Sequence, residues 1–221
     1  MKSLKLKLVL VIVGLLTLNS CVSTMPLNQQ FYNTKKVGVI LQVDNIGMSK
    51  AGGQGLLDMA LTPGHKYEEP LKAVEPKLEF KTKVKEEITS ILNSKNKQFQ
   101  IIEENVTTLK KFEKPNSDKK YSKLDYRNLK AKYNVDEILI LHAKHGILVS
   151  YYGVIETGKQ GYAQIITEIV DLEDNSLLQQ ENFQSVAKIN GNWKKGDDYG
   201  NLKNSIQEAI QNSFSTLKTK F

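Results

Sequence analysis

Hydrophobic and polar positions along the chain fall into blocks of recognisable period. Val37–Val43 (VGVILQV) is an almost unbroken apolar run, which predicts a strand buried on both faces. Phe80, Val84, Ile88, Ile91 and Leu92 recur at intervals of three and four with Lys81, Lys83, Lys85 and Glu86 between them, so Phe80–Ser94 reads as an amphipathic helix. Residues 98–103 read as a second strand and 124–133 as a short helix directed inward by Leu124, Leu129 and Tyr133. Residues 136–144 are apolar on both faces and predict a central strand. Residues 147–156 and 162–172 follow as strands around a turn at 157–161, the second with Ala163, Ile165, Thr167 and Ile169 on one face. After the acidic turn 173–176, residues 177–189 read as an antiparallel strand. Residues 201–219 form a helix with the stripe Leu202, Ile206, Ala209, Ile210, Ser213, Phe214 and Leu217. The order implies an α/β (α+β) sandwich, a mixed and largely antiparallel sheet with about three main helices packed on it.

Two stretches lack such a period. Residues 22–35 are small and polar and read as a tether. Residues 45–78 read as an insertion in which Gly47, Gly52, Gly53 and Gly55 precede one short helix (LLDMAL), with Pro63-Gly64 as a turn behind it. Gly52-Gly53-Gln54-Gly55 has neither the Lys-Ser/Thr of a nucleotide loop nor a dinucleotide fingerprint, so a flexible loop whose helix packs on a partner is the better reading. Gly52, Gly53, Gly55 and Leu56 are accordingly candidate partner contacts.

The amino terminus sets the location. Lys2, Lys5 and Lys7 precede the apolar run 8–18, interrupted only by Gly14 and Thr17. Eleven residues at about 1.5 Å each fall far short of a hydrocarbon core roughly 30 Å thick, so the stretch reads as an export signal, residues 1–20, and not a membrane span. Cys21 is the only cysteine, so no internal disulfide forms. Loss of residues 1–20 takes the net charge from +7 to +4, 28 basic against 24 acidic residues. Such mild basicity fits anionic lipid or wall polymer and gives no reason to infer nucleic acid. Nine Lys or Arg between 110 and 132, facing Glu113, Asp118 and Asp125, read as a solvated face.

Candidate chemistry is sparse. His142 and His145 are three apart in a strand and point to opposite faces, so they are poor co-ligands for a metal, and His65 is remote. No Gly-x-Ser-x-Gly elbow occurs. Asp171, Glu173 and Asp174 sit where acids serve as turn formers. Tyr151, Tyr152 and Tyr162 are candidates for an aromatic contact face, against ordinary cross-strand packing. No catalytic set, metal site or cofactor is expected.

Leu18-Asn19-Ser20-Cys21 resembles the lipobox of bacterial lipoproteins, which implies a diacylglyceryl and acyl group on Cys21, a palmitate-type membrane anchor. Without Asp after Cys21, the resemblance points to the outer membrane, periplasmic side, or to the cell membrane where there is only one. The motifs Lys36-Val37-Gly38-Val39-Ile40, Phe99-Gln100-Ile101-Ile102, 133–140 (YNVDEILI), Ile169-Val170-Asp171-Leu172 and Asn175-Ser176-Leu177-Leu178 resemble periplasmic lipoproteins with an anticodon-binding-like α/β domain. That group includes the curli secretion lipoprotein and the lipoprotein activators of penicillin-binding proteins. The resemblance implies a signal peptide at 1–20, a lipidated Cys and tether at 21–35, and one domain at 36–221 carrying the 45–78 insertion. It also implies a non-enzymatic module for protein-protein interaction in envelope assembly or secretion, with self-association left open. Pore formation is not carried over, because no long membrane-inserting hairpin is present. The rival readings are a periplasmic wall-modifying hydrolase and a glycan- or small-ligand-binding lipoprotein.

Overall fold

The computed structural model describes residues 24–33, 35–62, 64–194 and 197–221. The export signal, Cys21 and Pro63 lie outside the described residues. The fold is a mixed, open six-stranded sheet with helices packed on it, the expected class.

The centre of the sheet is β4, Glu137–Tyr152, sixteen residues that span about 50 Å at 3.3 Å per residue. On one side it pairs antiparallel with β5, Ile155–Asp171, which pairs in turn with β6, Leu177–Lys188. On the other side lies β1, Val37–Val43, parallel to the first half of β4, with the short β3, Phe99–Ile101, outside it. A further strand, β2, Gly47–Gly53, runs parallel to the second half of β4. Val43 faces Ala143 while Gly47 faces Gly146, so β1 and β2 lie in line along one edge with a one-residue jog at 44–46. Gly146 makes the jog: its φ is +145° and a Cβ there would lie 1.8 Å from the Gly47 carbonyl oxygen.

Alternation along β4 builds two cores of unequal reach. Leu139, Leu141, Ala143, Ile147, Val149 and Tyr151 face α3, Phe80–Ser94, and α5, Gly200–Lys218, whose apolar stripes complete the main core. Ile138 and Ile140 point to the other face, where Ile102, Val106, Tyr126, Leu129 and Leu172 cover only the start of β4. The shorter helices are α1, Leu56–Leu61, α2, Glu68–Val74, and α4, Asn128–Tyr133.

Four sequence expectations change. The two strands expected at 136–144 and 147–156 are one, because the ladder to β5 runs through Gly146 without a change of register. The hairpin turn falls at Gly153-Val154, where Gly153 takes φ +57°, and Thr157–Gly161 lies inside β5. Gly161 is needed there for a different reason: its N–H donates to Ser205 Oγ at 2.7 Å, and a Cβ would lie 2.2 Å from the Ser205 carbonyl carbon in α5. The insertion is not a loop, since β2, α1 and α2 fill most of it.

The described part of the expected tether is docked. Met25 bridges Gln180 of β6, and a single 3₁₀ turn, Gln29–Tyr32, drops Phe31 fully into the main core against Phe221, ring centroids 5.9 Å apart. Lys97 Nζ, itself buried, donates to the Phe31 and Asn33 carbonyls and pairs with Glu137 at 3.3 Å. Burial drives the Glu137 carboxyl up to about 7 against the opposing pull of Lys97.

Candidate interaction surface at the sheet tip

Beyond the last residue pair of β5 with β6, Gln160 with Lys188, the β4–β5 hairpin continues and β2 is its companion strand. Gly52 lies opposite Tyr151 and Gly53 opposite Tyr152, so two sets of candidate residues identified separately in the sequence meet at one place. Gly52 takes φ +104°. Gly153 N–H donates to the Gly53 carbonyl at 3.0 Å, and Gln54 Nε2 donates to the Gly153 carbonyl at 2.9 Å and to Thr62 Oγ1 at 3.0 Å. These bonds tie the hairpin turn to both ends of α1. Asp58 Oδ2 accepts the Gly55 N–H at 2.9 Å and closes the first turn of the helix.

What this frame presents is apolar. No residue of α1 is buried; Leu56 is 89% exposed, Leu57 72% and Leu61 63%, beside Met59. On the hairpin, Tyr152 is 78% exposed, together with Val154 and Ile155. Seven of the ten large apolar side chains exposed among the described residues therefore sit at this one end. Scattered exposed apolar residues need no explanation, but a contiguous group is the mark of a contact surface. A helix of six residues is too short to hold itself, so its backbone ties to the hairpin keep the surface formed.

Beneath the tip a polar cluster fixes its orientation. Glu156 Oε2 accepts from the fully buried Tyr67 hydroxyl at 2.8 Å and pairs with Lys159 at 2.9 Å, while Lys66 pairs with its other oxygen. Burial acts to raise the Glu156 carboxyl, but Lys66, Lys159 and Tyr67 outweigh it and hold the group at about 2. Burial first, and the adjacent Glu156 carboxylate second, push the Tyr67 hydroxyl well above its ordinary range. Tyr67, just ahead of α2, also packs on Trp193, ring centroids 5.2 Å apart, so the hairpin, the start of α2 and the segment carrying Trp193 meet beneath the tip.

The other sequence candidates fall elsewhere. Tyr151 points into the main core and its hydroxyl donates to Glu156 at 3.4 Å; Tyr152 points to the opposite face. Tyr162 pairs with Gly146, about 20 Å along the sheet from Tyr152, so the three tyrosines form no single aromatic face. His142 contacts Asp44 at 2.9 Å, whereas Asp171 accepts from Gln30 and Lys35 at the far end of the sheet. Their register positions, Ile166 for His142 and Glu137 for Asp171, put them about 17 Å apart. Among the described residues, no group of three or more His, Cys, Asp or Glu could hold a metal ion, and no helix is long and apolar enough to cross a membrane.

No family model matches the chain, and no curated protein matches it. Among solved structures it is similar to the hypothetical protein CT253 from Chlamydia trachomatis, at 12% identity over 84% of this chain and 97% of that one, TM-score 0.35. It is also similar to a neuraminyllactose-binding hemagglutinin homolog from Helicobacter pylori, at 9% identity over 86% of each chain, TM-score 0.34. A third is the PelC dodecamer from Paraburkholderia phytofirmans, at 8% identity over 87% of this chain and 92% of that one, TM-score 0.28. Likenesses this distant carry no argument about what the chain does.

Proposed function

We propose that this is a lipid-anchored envelope protein whose domain binds a protein partner through the apolar tip and performs no chemistry of its own. The observation that carries the reading is the concentration of exposed Leu56, Leu57, Met59, Leu61, Tyr152, Val154 and Ile155 on a frame held by hydrogen bonds.

Geometry favours a protein occupant over the anchoring lipid. Met25 is level with Gln180, Glu168 and Ile140, twelve residues or about 40 Å along β4 from Tyr152. Cys21, the attachment point, is four residues before Met25 and so lies at most about 14 Å from it. The attachment point therefore stays about 26 Å or more (40 − 14) from Tyr152 along the sheet, which suits a module that holds its contact surface apart from its anchor. A partner with an apolar groove of its own matches the tip, because covering these side chains removes apolar area from water and Tyr152 supplies an aromatic anchor of the kind that dominates such interfaces.

The test is a photo-reactive side chain placed at Leu57 or Ile155 in whole cells, with Lys114, exposed near the opposite end, as the control. A discrete protein adduct from the two tip positions and none from Lys114 is expected. Adducts to lipid alone would sink the reading, and adducts to a second copy of the chain would replace the partner by self-association. Labelling with a radioactive fatty acid, lost on Cys21→Ser, tests the anchor separately.

A further inference from the structure

The jog between β1 and β2 leaves a gap in the sheet edge, and a cavity of about 210 Å³ opens there, lined by Asp44, Asn45, Glu75, Pro76, Glu79, Phe80, Lys81, Thr82 and His145 among others. That is room for about seven waters. Two features on its walls call for a ligand.

The first is His145, only 5% exposed, with neither ring nitrogen bonded to any partner among the described residues. Its ring lies 4.1 Å from that of Phe80, so packing holds it in place. Burial keeps the imidazole neutral, with its pKa lowered to about 4. A neutral imidazole has one nitrogen that donates and one that accepts, and leaving either unmet inside a protein is costly. The second feature is the amino end of α3, fifteen residues long. No side chain caps it, and Glu79 ahead of it stands in a left-handed conformation at φ +49°. The first amides of such a helix lack partners within it and attract an anion.

The remaining wall has the opposite preference. Glu75 and Glu79 line the same cavity, and Glu75 already accepts the Ile46 N–H at 2.9 Å. A simple anion would meet three carboxylates, those of Asp44, Glu75 and Glu79, against the single ammonium of Lys81. A metal ion would find too few ligands.

We propose that this cavity is a binding site for a free α-amino acid, whose carboxylate meets the amino end of α3 and draws the shielded His145 N–H toward it and whose ammonium meets Glu75 and Glu79. One small zwitterion supplies the acceptor and the donor that these walls require. The site lies on the covered face of the sheet and is independent of the apolar tip.

The test uses the full chain in detergent and the twenty free L-amino acids, with acetate and methylamine as the two half-ligands. Binding is read as a saturable rise in melting temperature and as movement of the His145 ring resonances, resolved from those of the two other histidines. At least one amino acid should produce both signals while the half-ligands produce neither. Glu79→Gln should weaken binding about tenfold, the loss of one charge-assisted contact, and His145→Phe, of similar shape, should abolish it. The resonance shift in the unaltered protein decides the matter even where His145→Phe folds poorly. No response to any amino acid up to tens of millimolar would mean that the cavity holds solvent alone and would overturn the proposal. So would an equal response to acetate, or amino-acid binding that survives in a folded His145→Phe protein.

Discussion

The two ends of the long sheet are built on opposite principles. At the base, where β4 begins, both faces are covered and the amino-terminal segment is inserted as a wedge, with Phe31 fully buried and Lys97 joined to Glu137 and to two main-chain carbonyls. At the tip the same strand carries Tyr152 into solvent beside a helix with no buried residue. Apolar burial supplies most of the free energy of folding, at about 25 cal/mol per Å² removed from water. The base therefore holds the fold together, and the tip leaves apolar area uncovered that no folding requirement explains.

Several substitutions would break or sharpen that contrast. The largest effect is expected at the base: Lys97→Ala leaves Glu137 buried without its cation and should cost about 3–5 kcal/mol in urea unfolding, whereas Lys97→Met with Glu137→Leu should recover most of it. Phe31→Ala belongs to the same class, also about 3–5 kcal/mol.

An effect of about 3 kcal/mol is expected from His145 as a function of pH. Its pKa is about 4 in the folded chain and about 6.5 when unfolded, so the unfolded state binds the proton first. Its contribution is complete above pH 6.5 and is lost as the pH falls through 4. Unfolding free energies measured at both ends of this window should fall more steeply in the native protein than in His145→Phe, by that amount.

Smaller again is Gly146→Ala, at about 1–3 kcal/mol, because a Cβ at φ +145° collides with the Gly47 carbonyl. Hydrogen exchange should rise across 47–53 while 37–43 stays protected, showing that β2 detaches and β1 does not. The least effect on stability belongs to the tip: Leu56→Asp with Leu57→Asp should change unfolding by no more than about 0.5 kcal/mol and yet remove the crosslinked partner. A large loss of stability there would make the exposed helix structural and erase the contrast.

Much of the frame was legible in the residue pattern. The stripe from Phe80 to Leu92 and the stripe from Leu202 to Leu217 are helical with the predicted faces buried, because i, i+3 and i+4 neighbours share one face whatever lies opposite. His142 and His145 do point to opposite sides, by the two-residue alternation of a strand. The turn was misplaced since Thr157-Gly158-Lys159-Gln160-Gly161 has turn composition, while the actual turn, Gly153-Val154, sits in an apolar stretch without Asn-Gly or Asp-Gly. β2 was not legible at all: Gly47-Met48-Ser49-Lys50-Ala51-Gly52-Gly53 has poor strand propensity and extends only because the open edge of β4 offers it a ladder. The docked segment was missed for a related reason, as Phe31 is a lone apolar residue with no period around it.

For the candidate site, the residues were visible and their assembly was not. Gly52 and Gly53 and the pair Tyr151 and Tyr152 were each singled out in the chain, but only the register of β2 on β4 sets them side by side.

Local periodicity was enough to determine the two long helices, the apolar alternation along β4 and β5 though not where those strands join and turn, and the overall class, because burial of one face is written into the spacing of neighbouring residues. Tertiary structure alone decided that a glycine-rich segment becomes a strand, that the polar lead-in wedges into the core, and that apolar side chains gather at the tip while an imidazole is left without partners among the described residues. Those outcomes depend on hydrogen bonds and contacts between residues far apart in sequence, whose cost and reward no local window contains.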